Sequence, residues 1–140
     1  MNKLKTALII LIPAVITFPL SHIIWPDSLG AMQPTAGQLP FFMFIGALES
    51  LAFGVGVWFA FKGWPLIKQA TGVSQTLATW TFFSITWGLI SWWPHDNLHR
   101  ANGMDLQGLL YIEYGFHLTL IIAAVIISLF FLKTLKPKQN

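Results

Sequence analysis

The chain has 140 residues, 55% of them hydrophobic and 9% charged, with a formal charge of +3 and no cysteine. This composition excludes a disulfide framework and any thiolate metal site, so a metal ion would have to be held by imidazole and carboxylate. The positive charge sits in short lysine clusters beside apolar segments rather than on one solvated face, which argues against a nucleic-acid partner.

Four apolar runs, each near the roughly 20 residues that cross about 30 Å of hydrocarbon, take up most of the length. The fold class expected is all-α: a single integral-membrane four-helix bundle, residues 1–140, without a separate soluble module. The first span is read over 6–25, behind Lys3 and Lys5 and containing Pro13 and Pro19, which kink a membrane helix without breaking it. It resembles a signal sequence, but Pro19-Leu20-Ser21-His22 offers no small-residue cleavage site, so the segment is read as an uncleaved helix.

A Pro-, Gly- and polar-rich loop leads to the second span, 41–61, ended by Lys62, Gly63, Trp64 and Pro65. The third runs over 75–93, where Pro94 stops it and opens a short surface helix. Asn102-Gly103 supplies a turn and Asp105 an N-cap for the fourth span, 106–132. Lys3, Lys5, Lys62, Lys68, Lys133, Lys136 and Lys138 then fall on one side and Arg100 on the other, which places both termini in the cytoplasm. Trp25, Trp92 and Trp93 fit an outer aromatic belt and Trp64 an inner one, and the expected location is the plasma (inner) membrane of a prokaryote.

Ionisable groups in such a chain need a reason, because a carboxylate or imidazole in hydrocarbon costs several kcal/mol unless paired, hydrated or bound to an ion. Glu49 lies about 12 Å into the second span and must face protein or water. Around it Gly46, Ser50 and Gly54 form one small-residue stripe, and Ala52, Gly56 and Ala60 another, so a neighbouring helix can approach closely and bring Glu113 or His117 to the carboxylate. Glu113 and His117 stand at i and i+4, the spacing at which carboxylate and imidazole bind one ion or each other. His95 and His99 repeat that spacing behind Pro94, without the glutamate of a metalloprotease motif; the simpler alternative is a solvated turn in which Asp96 pairs with Arg100. His22, near the outer end of the first span, completes the set or snorkels beside Trp25.

All six residues fall in the outer half of the chain's expected topology, whereas the inner half has no His, Asp or Glu. The leading expectation is a metal or cofactor site opening outward, with Glu49, Glu113 and His117 as inner ligands and His95, His99 and His22 at the rim. Zinc, copper, iron and manganese are not separated by these donors. Any reaction would be metal-assisted, with Glu49 as candidate acid or base. Three alternatives stand beside it: a haem b protein using His117 and His22, a proton-coupled oligomeric transporter working through Glu49, and a non-catalytic subunit or assembly factor of a larger membrane complex. The lipid bilayer is the sure partner, and a homo-oligomer or larger complex is compatible. Thr81, Ser84, Gly88 and Ser91 read as an ordinary packing face of the third span, and Trp58, Trp80 and Trp87 as core or lipid-facing.

Overall fold

The computed structural model describes residues 2–29, 33–103 and 105–135; Lys136 and Lys138, used above for orientation, lie outside the described residues. Within these, every regular element is helical: α1 (Lys3–Ile24), α2 (Leu39–Lys68), α3 (Gln75–Ile90), α4 (Trp92–Asn102) and α5 (Leu106–Thr134). Five helices therefore replace the four expected. Three of them, α1, α2 and α5, are long and apolar enough to cross a membrane. At 16 residues α3 spans only about 24 Å, so it falls short of a full crossing on its own.

The boundaries follow local chemistry. Asn2 caps α1 through Leu4 N at 3.2 Å, and Ser74 caps α3 through Leu77 N at 3.2 Å. Asp105 accepts from Gln107 N at 3.1 Å and opens α5, as its position after the Asn102-Gly103 turn suggests. Gly103 has φ 58°, a conformation that favours glycine. Two boundaries differ from expectation. Helix α2 continues through Lys62-Gly63-Trp64-Pro65 to Lys68, because Trp64 packs on Phe82 and Ile67 joins the core in helical register, and a proline is tolerated within a membrane helix. The third segment breaks at Ser91, three residues before Pro94, which sits inside the first turn of α4 where its missing N–H costs nothing.

The long helices pack in chain order, α1 on α2, α2 on α3 and α3 on α5, forming a row with α1 and α5 at its edges. The small-residue stripes decide where backbones meet. A Cβ at Gly54 would collide with the carbonyl oxygen of Ile10 and lie 3.3 Å from Ala14 Cβ, so α1 crosses α2 at that glycine. Gly56, on another face, meets Leu89 and Ile90 of α3. Near the lysine-bearing end Phe59, Ile67, Ala78 and Phe130 form the buried core, with Phe59 stacked on Phe82 at 5.5 Å. Side chains facing away from the row, among them Leu8, Val15, Phe41, Phe44, Ile121 and Leu132, are exposed, as lipid-facing residues are.

Gly54→Leu should overpack the α1–α2 crossing and destabilise the protein by about 1–3 kcal/mol. Gly88→Ala, where a Cβ meets nothing within 4 Å, should leave stability unchanged or raise it. Thermal unfolding in detergent checks both.

Candidate functional site at the outer end

Helix α4 lies across the end of the row opposite the lysines of α2 and α5, and two devices hold it there. Trp93 wedges its ring between Trp25 and Phe53, with both centroid separations 5.0 Å. Arg100, the chain's only arginine, reaches the end of α1. Its Nη2 donates to Ser21 O at 3.2 Å, Trp25 O at 3.0 Å and Asn97 Oδ1 at 2.8 Å. Its Nη1 pairs with Asp27 Oδ1 at 3.2 Å and donates to His22 Nδ1. Helix C-termini leave carbonyls without intrahelical partners, and a guanidinium supplies donors to several at once. Asn97 is buried and donates in turn to Trp93 O at 2.6 Å, which ties the two devices together.

With α4 fixed, another of its faces carries His95 and His99 to α5. Their Nε2 atoms are 3.1 Å apart, and His99 Nε2 is also 3.3 Å from Glu113 Oε1. Glu113 Oε2 bonds His117 Nδ1. The ring of His95 packs against His99, His117 and Phe116, with centroids at 4.6, 4.8 and 5.2 Å. One proton assignment satisfies every contact: His99 Nε2–H is shared between His95 Nε2 and Glu113 Oε1, while His117 Nδ1–H donates to Glu113 Oε2. His95 is then neutral and accepting. Burial, followed by the neighbouring His99 and His117, pushes its pKa down from the ordinary 6.5, in keeping with that assignment.

Glu113 and His117 do not stand on an ordinary α-helix. Residues Glu113–Leu118 form a π-helical segment inside α5. Thr119 Oγ1 donates to the carbonyls of Gly115 at 2.7 Å and Phe116 at 2.9 Å and accepts from Trp87 Nε1 at 2.9 Å, so the widened turn is fastened to α3. Trp87 and Phe116 stack above it, 5.8 Å apart and 6° from parallel. Wide turns of this kind recur at functional sites.

The structure divides the six residues singled out from sequence. His95, His99, Glu113 and His117 come together. His22, expected at the rim of the same group, instead accepts from Arg100, because the loop after α1 brings Asp27 and the carbonyls of Ser21 and Trp25 around that guanidinium. The His117 and His22 pair needed for haem ligation thereby belongs to two separate groups. Glu49 is half-buried on α2; among the described residues no hydrogen bond or ion pair reaches it, and the charges acting on it are those of Asp96 and Arg100 rather than Glu113 or His117. Arg100 pairs with Asp27, not Asp96. As placed, the described His, Asp and Glu side chains form no group of three or more that could hold a metal ion. Sequence reasoning missed the roles of Asn97, Asp27 and Trp93; its one available signal was a lone arginine among lysines.

A histidine held neutral in the fold destabilises it once the unfolded chain takes up a proton, so stability should be full above the ordinary imidazole pKa and fall as the pH drops below about 6.5. Unfolding temperatures at pH 8 and pH 5.5 test this. His95→Gln should flatten the dependence.

Comparison with protein-family models, with curated proteins and with solved structures finds no match for this chain.

Proposed function

We propose that this is a four-span membrane protein of the prokaryotic plasma membrane, with both termini cytoplasmic, and that its outer end binds a transition-metal ion through His95, His99, Glu113 and His117. In this reading α3 crosses as the fourth span, since it runs between α2 and α5 and continues into α4. One observation carries the metal assignment: donor atoms from α4 and α5 lie 3.1 and 3.3 Å apart around His99 Nε2. Ligands held at 2.0–2.1 Å from one metal in a tetrahedral arrangement are separated by about that distance. Binding exchanges the shared protons for coordination bonds and turns the rings to a common point. Zinc, copper, iron and manganese all accept this nitrogen and oxygen set. The carboxylate would neutralise ion charge, and a coordinated water would be a site for metal-assisted chemistry.

A second reading, a subunit or assembly factor of a larger complex, is favoured by the row architecture, whose edge helices α1 and α5 present apolar faces to bilayer or partner. The polar residues then serve only to fasten α4 to α5.

Metal titration of detergent-purified protein separates the two. His99→Ala and Glu113→Ala should each weaken binding by at least about tenfold, and binding should fade as the pH drops through the histidine range near 6.5. Gln107→Ala, two residues after the acidic cap and outside the cluster, keeps the capped backbone N–H and should bind as the parent does; Asn97 is unsuitable as this control because it braces Arg100. No metal in the parent, or equal binding in every variant, favours the subunit reading. Single cysteines introduced at Lys5 and Ser28 of this cysteine-free chain should label from the inside and outside respectively. The reverse pattern would invert the orientation and leave the site cytoplasmic.

A further inference from the structure

Below the polar cluster, α3 and α5 leave between them a shallow, open groove of about 480 Å³ lined by Ser84, Gly88, Trp92, His117, Ala124 and Ile127, among others. It opens sideways, toward the hydrocarbon, and only its upper end meets titratable groups. Three features distinguish it from a packing defect. Gly88 faces open space: a Cβ there would meet nothing within 4 Å, although glycine inside a helix costs about 1 kcal/mol relative to alanine. Ser84 is 5% exposed, yet its hydroxyl takes no partner among the described residues, whereas Thr81 and Thr86 on the same helix donate to carbonyls four residues back at 2.8 and 2.9 Å. The imidazole of His117 is oriented by Glu113 through Nδ1, which leaves Nε2 for something else.

The Trp87–Thr119 hydrogen bond sets the register between the helices. Counted from it at 1.5 Å per residue, His117 and Ser84 lie at heights about 7 Å apart along the groove. Two hydrogen-bonding groups separated by one ring's length, an indole at the rim and an otherwise apolar wall describe a flat molecule with oxygens on opposite sides and an apolar tail. The almost wholly apolar lining favours a lipid-soluble ligand over a water-soluble one. We infer that this groove is a binding site for a lipid-soluble quinone or quinol, one oxygen meeting His117 Nε2 and the other Ser84 Oγ, with the tail running along Ala124 and Ile127. With Nδ1–H given to Glu113, Nε2 offers an acceptor to a quinol hydroxyl, and the Ser84 hydroxyl can donate to or accept from the other oxygen.

The inference stands apart from the metal reading except for the shared His117, and its test keeps the two distinct. A decyl-substituted benzoquinone is titrated into the detergent-purified protein, and quenching of tryptophan emission is followed. Saturable quenching is expected in the parent. Gly88→Leu fills open space without breaking a contact and should weaken binding by about tenfold or more while leaving metal binding as in the parent. Ser84→Ala and His117→Gln should each weaken it severalfold, with Gln107→Ala, outside both groups, unchanged. Quenching that rises without saturation, as simple partitioning into the micelle does, overturns the inference. So does equal binding in the parent and Gly88→Leu, or displacement by an equimolar diacyl phospholipid, which would assign the groove to ordinary lipid.

Discussion

Arg100 holds the end of the molecule opposite the lysines together because one guanidinium meets several acceptors at once. Helix α1 finishes at Ile24, and from a helix that is not a chain neighbour the guanidinium donates to the carbonyls of Ser21, which also accepts from Trp25 N, and of Trp25, and meets Asp27 and His22. An ammonium in its place would be a point charge without the planar fork that spreads over carbonyls, carboxylate and amide. Asn97 and Trp93 transmit that anchoring along α4. The positions of His95 and His99 against α5 are therefore consequences of contacts made on other faces of the same short helix.

The division of labour along the membrane normal follows from the same constraint. At the lysine-bearing end, where Phe59, Phe82 and Phe130 meet, packing is apolar, and the buried indole N–H of Trp58 beside it has no partner among the described residues. At the opposite end the polar groups are paired in short chains: Arg100 with α1, and His95 through His99 and Glu113 to His117. Glu49 belongs to neither chain. It stands near Asp96 and Arg100 and is half-buried, with no hydrogen bond or ion pair among the described residues.

Much of this was legible in the sequence, and the limits have physical causes. Three of the four expected spans could be read because lipid tolerates only long apolar helices, and the stripe Gly46, Ser50 and Gly54 announced a close neighbour but not which one: α1 meets α2 at Gly54, rather than the helix carrying Glu113 and His117. The pairing of Glu113 with His117 was local and so visible in spacing. Which histidines share a site was not, because His22 and His99 are 77 positions apart and only the fold decides which of them reaches Arg100 and which reaches Glu113. The break at Ser91 rather than Pro94 and the passage of α2 through Pro65 show the same rule: a proline marks a permitted bend, and packing selects whether it is used. Ser84 and Gly88 read as packing residues because small size is common to residues that admit a helix and residues that leave a space.

The π-helical turn at Glu113–Leu118 carries a further consequence for how this helix can vary. A stretch of wide turn is what an α-helix becomes when it absorbs one extra residue while both of its ends stay docked. Deleting one residue there would give a plain helix with both halves still docked, whereas regularising the turn with all its residues kept would rotate one half by about 100° relative to the other. Ala123 and Phe130, now packed toward α3, would swing away if Asp105 and Glu113 kept their places. The wide turn thus acts as a phase adjuster between two halves of one rod. The lower half is free to follow the demands of packing and the upper half those of chemistry, each with its own angular origin.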